Sequence, residues 1–263
     1  SQPLAAQAGL EILKRGGNAI DAAIATAACL TVVEPTSNGI GGDAFALVWT
    51  NGKLHGINGS GRSPRALSID KVKELGYDAI PKFGWIPVTV PGAPGVWAEL
   101  NRRFGKLSLL EVLQPAIQYA RDGFPLSPTL AKYWKRAYLN YKRNLQEPIF
   151  TEWFKVFAPK DRAPRVGEVW RSKDHAQTLE EIGKTDAESF YRGRLAEKIV
   201  QFSRETGGFF TLEDFAEYKP EWVEPIHINY RGYDVWEIPP NGQGIVALEA
   251  LNILQGFQLP SLS

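Results

Sequence analysis

Apolar positions recur at helical spacing from the start of the chain. Leu4, Ala8 and Ile12, with Leu10 and Leu13 beside them, predict a helix over residues 1–15. Ser1 is placed to cap it, Pro3 suits its first turn, and Gly16-Gly17 stops it. Asn18 then caps a second helix over residues 19–33, with Asp21 at its third position near the positive end of the helix dipole. This stretch is almost entirely small and apolar, the pattern of a buried core helix, and it is too short to cross a membrane.

Glu34-Pro35 ends the second helix, and Thr36 to Asp43 is a glycine-rich loop whose glycines read as turn positions of positive φ. A strand over 44–50, an Asn51-Gly52 turn of type I′ and a return strand over 53–58 form a hairpin. The return strand runs into Asn58-Gly59-Ser60-Gly61-Arg62-Ser63-Pro64, a loop that presents an arginine. From 68 to 157 the pattern is mainly helical. Ser108 and Glu111 form a capping box that opens a helix ending at Gly123, and the prolines between Pro81 and Pro94 predict an extended connection. Further helices fit 129–142, 174–182, 194–206 and 212–217, the last capped by Thr211. A second hairpin pairs 226–230 with 233–238 across Arg231-Gly232, and a turn over Pro239 to Gly244 leads into a helix over 245–254. No internal repeat and no dividing linker interrupts residues 1–263, so one domain is expected. Hairpins among helices predict an α+β chain with an antiparallel sheet rather than a doubly wound one.

Composition narrows the function. Among 263 residues, 30 Lys and Arg face 29 Asp and Glu, a net charge of +1 that excludes recruitment of nucleic acid or anionic membrane by bulk charge. The single cysteine, Cys29, rules out an internal disulfide, and its place among alanines and leucines points to core packing rather than nucleophilic chemistry. His55, His175 and His227 match no metal spacing, and neither a G-x-S-x-G elbow nor a Walker loop occurs. Gly39-Ile40-Gly41-Gly42 follows a helix and precedes a strand, the reverse of a phosphate-binding context. The basic and aromatic residues from Lys132 to Arg143 read as one helix whose aromatics pack while its cations reach solvent. Arg62 stands apart. Between Gly61 and Ser63-Pro64 its planar fork of donors suits a carboxylate, and a structural tie to a loop carbonyl or an internal acid suits it equally. Glu34 and Asp43, which flank the first glycine loop, read as structural acids.

Several of these segments together resemble the γ-glutamyltransferases (γ-glutamyltranspeptidases). Pro3 to Leu13, Gly16 to Ala23 and Glu34 to Asp43 are similar to the family's opening. Val90-Pro91-Gly92, Gln114-Pro115-Ala116, Ala120 to Gly123 and Tyr230 to Tyr233 continue the likeness in order. The resemblance implies a four-layer αββα sandwich of the N-terminal nucleophile hydrolase type. It implies a precursor that cuts itself, and a small subunit whose new N-terminal threonine attacks the γ-amide of glutathione or a related γ-glutamyl donor. Residues 1–263 would then be most of the large subunit, with no catalytic residue of their own and no metal or cofactor. Gly61-Arg62-Ser63-Pro64 matches the family's arginine motif, which implies that Arg62 holds the α-carboxylate of the donor. Pro239 to Gly244 departs from the family's serine-rich turn, which leaves the acyl acceptor open. Two alternatives share the resemblance: an acylase for glutaryl amides of the cephalosporin type, and an inactive homologue that serves as a binding protein. Further dimerisation and the compartment, cytoplasmic or secreted and periplasmic, stay open.

Overall fold

The computed structural model describes residues 2–258. Two helices lead, α1 (Pro3–Lys14) and α2 (Ala19–Val33), followed by the hairpin β1 (Ala44–Thr50) and β2 (Lys53–Gly59). Helices α3 (Ile69–Glu74), α4 (Ala93–Phe104) and α5 (Leu109–Asp122) come next, then a two-residue strand β3 (Phe124–Pro125). Beyond it lie α6 (Pro128–Asn144), a 3-10 turn (Pro148–Phe150), α7 (Thr151–Phe157) and β4 (Val169–Trp170). The last third holds α8 (Lys173–Lys184), α9 (Glu188–Arg192), α10 (Arg194–Glu205) and α11 (Leu212–Ala216). Strands β5 (Glu221–Val223), β6 (Ile226–Tyr230) and β7 (Tyr233–Glu237) follow, and α12 (Gly244–Leu254) closes the described chain.

The local signals act where expected. Asn18 accepts from the Ile20 and Asp21 amides while Asp21 accepts from the Asn18 amide, a complete capping box. The same reciprocal arrangement opens α5 at Ser108 and Glu111 and α11 at Thr211 and Asp214. Asn51 and Gly52 both take positive φ, as a type I′ turn requires. Gln2, rather than Ser1, caps α1 through its side-chain oxygen, and Ser1 lies outside the described residues. Pro94 is not part of the extended connection: it sits in the first turn of α4, where its missing N–H costs nothing. The glycine loop also differs from expectation. Gly39, Gly41 and Gly42 do not adopt positive φ; instead the Gly42 carbonyl accepts the Gly92 and Ala93 amides at 3.0 Å and so anchors the start of α4.

The core centres on α2, which packs against α1 and α5, and α8 packs on α5 and touches α2 through His175. Ile24, Ala25, Ala28, Cys29, Val32 and Val33 are fully buried there. Every strand pairing is antiparallel: the larger sheet runs β1-β2-β5, and β3-β4 and β6-β7 form separate two-stranded pairs. One face of the larger sheet, carrying Val48 and Ile57, lies against α4 and is buried. The opposite face of β1 shows Phe45, Leu47 and Trp49 to solvent. Directly paired residues share a face, so Asn58 and Glu221, its partner in register on β5, stand on that open side with Phe45. The structure is therefore mixed helix and antiparallel sheet, with the outer side chains of β1 exposed among the described residues.

Candidate functional site

The end of β2 delivers the arginine loop, and the loop's backbone is tied down at successive positions. The Ser60 amide donates to Asn58 Oδ1 at 2.9 Å, the Gly61 amide to Asp43 Oδ1 at 3.1 Å and the Arg65 amide to Asp214 Oδ1 at 3.0 Å. The Arg62 carbonyl accepts from the Val90 amide at 3.0 Å. Gly61 is there for close approach: a Cβ at that position would lie 1.7 Å from the Val90 carbonyl oxygen. Asp43 thus has the structural role its sequence context indicated, and the Glu34 side chain faces Asn38, 3.5 Å away, in the neighbouring turn.

On this fixed backbone the Arg62 side chain projects outward, 87% exposed, with a single ion pair: Nη2 lies 3.1 Å from Glu221 Oε1. It binds neither a loop carbonyl nor Asp43; the internal acid it meets is Glu221, on β5. Arg62 and Glu221 line a cleft of about 550 Å³ with Asn58, Ser60, Asn241 and Tyr218. That size suits a small ligand. Asn241, from the Pro239 to Gly244 turn, joins the site by accepting from Asn58 Nδ2 and Ser60 Oγ, both at 3.0 Å. The turn expected to differ from the family pattern is therefore part of the arginine cleft.

Tyr218 forms the inner wall. Its hydroxyl is buried and has no hydrogen-bond partner among the described residues. Burial, with the Asp43 and Glu221 carboxylates adding to it, pushes the phenol well above its ordinary pKa, so it remains a protonated donor. A second cleft of about 510 Å³ lies across Tyr218, between α4 and the turn before α9, and does not include Arg62. Sequence reasoning missed Glu221 and Tyr218. Glu221 stands on a three-residue strand between prolines, too short to give a periodic signal, and its pairing with β2 spans most of the chain.

The remaining candidates fall away from this site. Cys29 is buried in α2, and desolvation raises its thiol to about 12, which leaves it un-ionised and inert. His55 packs between Phe104 and Trp222, His175 lies beside Thr31, and His227 stacks on Trp236. Among the described residues no group of three or more His, Cys, Asp or Glu could hold a metal ion, and no helix is long and apolar enough to cross a membrane. On α6, Trp134 and Tyr138 are buried and Lys132, Lys135 and Arg136 face solvent, as the basic and aromatic pattern indicated, whereas Tyr133 is exposed with the cations.

A sequence model of the gamma-glutamyltranspeptidase family matches residues 5–263. The chain is 38% identical to the glutathione hydrolase-like YwrD proenzyme of Bacillus subtilis, over 98% of this chain and 48% of that protein. It is 33% identical to the glutathione hydrolase proenzyme of Escherichia coli, over 97% of this chain and 44% of that protein. The crystal structure of cephalosporin acylase from Bacillus halodurans superimposes with a TM-score of 0.97 at 65% identity, covering 98% of this chain and 48% of that one. The γ-glutamyltranspeptidase of Helicobacter pylori superimposes with a TM-score of 0.91 at 29% identity, covering all of this chain and 75% of that one. The chain spans about half the length of the relatives it matches in sequence. The family match runs through the α1–α2 core, the arginine loop and α12, and the chain belongs to the γ-glutamyltranspeptidase family.

Proposed function

We propose that this chain is most of the large subunit, a single domain, of a self-processing amidase that transfers or hydrolyses γ-glutamyl groups from glutathione and related amides. The observation that carries the reading is Arg62: a guanidinium held out into a cleft by a loop that is anchored through the Gly61 and Arg65 amides and the Arg62 carbonyl. A backbone so anchored, with an exposed cation held by one ion pair alone, suits recognition of a carboxylate rather than support of the fold. Proenzyme relatives support a precursor that is cut into two chains. In this reading a threonine exposed at the start of the small subunit lends its α-amino group as base. The hydroxyl adds to the γ-carbonyl, the amine departs with a proton, and the resulting ester passes its acyl group to water or an amino acid. Arg62 contributes by fixing the donor's carboxylate end, so that the carbonyl is offered at a constant distance.

The finer architecture follows from the same reading. The open face of the β1-β2-β5 sheet, with Phe45, Leu47 and Trp49 on show, fits a second sheet supplied by the small subunit, giving the αββα sandwich. The arginine cleft shares Asn58 and Glu221 with that face, so the acyl donor would lie at the junction of the two sheets.

The test is Arg62→Ala in the processed full-length protein, assayed with γ-glutamyl-p-nitroanilide. Loss of a charge-assisted contact of about 1.5–3 kcal/mol raises KM roughly ten- to hundredfold, with a smaller effect on kcat. An unchanged KM dismisses Arg62 as the carboxylate ligand. A second reading, hydrolysis of glutaryl side chains from cephalosporin-type amides, is favoured by the 65% identity to an acylase. Arg62 would serve it equally, because glutaryl also ends in a carboxylate. Relative turnover of γ-glutamyl and glutaryl amides separates the two, and a protein that is neither cut nor active on either would instead be a binding homologue.

A further inference from the structure

Away from the arginine cleft, α6 and the turn that follows α2 border an open cavity of about 780 Å³, and the two clefts share no described lining residue. Five cations converge on it: Lys132, Lys135, Arg136 and Arg143 from α6, and Lys82 from the connection that precedes α4. Positions 132, 135, 136 and 143 fall on one side of a helix, so the sequence spacing itself gathers these charges. The opposite side of α6 fixes their direction: Trp134 and Tyr138 are buried, and Trp134 Nε1 donates to the Phe157 carbonyl at 2.9 Å. Among the described residues none of the five is ion-paired, and no carboxylate lines the cavity. Lys142, the residue before Arg143, lies outside the lining and pairs with Asp161 at 3.0 Å. Like charges four residues apart, as at Lys132 and Arg136, weaken a helix, so the grouping works against the stability of α6.

We propose that this cavity is a second anion site, taking a compact ligand with three or more negative charges on phosphate or carboxylate groups. The inference goes beyond the amidase reading and does not depend on it. Lysine and arginine side chains only donate hydrogen bonds, and Thr36, Ser37 and Asn140 add hydroxyl and amide donors to the same wall. Anion oxygens would therefore meet donors from three separate segments of the chain. Several charges are needed because one exposed contact contributes little and the contacts must act together. Compactness follows from the charge of the rest of the protein. The whole chain carries +1, so the residues outside these five cations are net acidic. A polymer or a membrane surface reaching past the cavity meets that acidic remainder. A small polyanion stays inside the cationic field, which salt screens over about 8 Å.

The experiment titrates the processed full-length protein with tripolyphosphate and, separately, with tricarballylate, by calorimetry at about 0.15 M ionic strength. One anion per chain is expected, with a Kd below about 1 mM that rises with added salt. The tighter of the two probes identifies the ligand's acidic group. Replacing Lys132, Arg136 and Arg143 together by glutamine raises Kd about tenfold or more, and Lys82→Gln alone, from a different segment, raises it severalfold. A control that removes the same charge from the exposed positions Lys14, Lys53 and Lys73 leaves Kd within about twofold. Arg62→Ala also leaves it unchanged, because that side chain lies in the other cleft. An unaltered Tm in the α6 variant shows that the change in Kd is not unfolding. Binding of neither probe at about 10 mM overturns the proposal and makes the cations a solvated face. An equal loss in the control variant, or loss of binding with Arg62→Ala, overturns it too. Binding is read without turnover, so failure of the amidase reading would leave this result standing.

Discussion

Replacing Gly61 by alanine would place a methyl group 1.7 Å from the Val90 carbonyl oxygen, and neither side of that contact is free to yield. Val90 is buried and its amide is bonded to the Arg62 carbonyl, so the loop must lift as a unit. Overpacking of this kind costs about 1–3 kcal/mol, a fall of several degrees in Tm. Because the residue that lifts next is Arg62, KM for a γ-glutamyl amide rises in the same variant. A Gly61→Ala protein with wild-type Tm and KM would show that the approach of Val90 to the loop is not maintained in solution. At this scale the sequence was legible in part. Gly61-Arg62-Ser63-Pro64 singled out the arginine that the structure places in a cleft, but it gave no sign that the space beside Gly61 is taken by Val90. Glu221 and Tyr218 could not be read at all, because what makes them relevant is proximity to Arg62 across some 150 residues of chain.

At the scale of elements, helices were legible wherever their ends carried side-chain caps. Asn18 with Asp21, Ser108 with Glu111, and Thr211 with Asp214 each opened a helix where their spacing predicted. Helix α4 was hidden because Pro94 looks like a breaker until its position in the first turn is known, and β5 because its three residues gain their pairing only from β2. The packing of α8 beside α2 has a consequence for acid stability. His175 lies in the first turn of α8 with Nε2 3.4 Å from Thr31 Oγ1, and burial lowers its pKa to about 4. The unfolded chain, near 6.5, binds the proton that the fold refuses. Stability from this group is therefore complete above about pH 6.5 and declines as pH falls towards 4, by up to about 3 kcal/mol. Urea unfolding at pH 7 and pH 4.5 measures the decline, and His175→Gln is expected to make it shallower. An identical pH dependence in the variant would place the acid sensitivity elsewhere.

For the molecule as a whole, the exposed outer side of β1 is the feature that needs an explanation. Strand β1 is apolar on both sides: Ala46 and Val48 face the helices, while Phe45, Leu47 and Trp49 face outward, and Trp49 is 70% exposed. A strand that meets water on one side ordinarily alternates apolar with polar residues, whereas continuous apolar strands belong to sheets covered on both faces. β1 is composed like the second kind and, in residues 2–258, is exposed like the first. Burying three large apolar side chains is worth roughly 1.5–3 kcal/mol each, so a sheet laid across them would add several kilocalories to the assembled protein. The full-length protein makes the distinction measurable. Trp49→Ser should lower its stability by about 2–4 kcal/mol if this face is an interior, and by less than about 0.5 kcal/mol if it stays open to solvent. The interior outcome would also bring Glu221 and Asn58, which share the face, under the second sheet beside Arg62. There the weak exposed Arg62–Glu221 pair would become a desolvated one, and a carboxylate ligand would compete with Glu221 for the guanidinium in surroundings that strengthen both contacts.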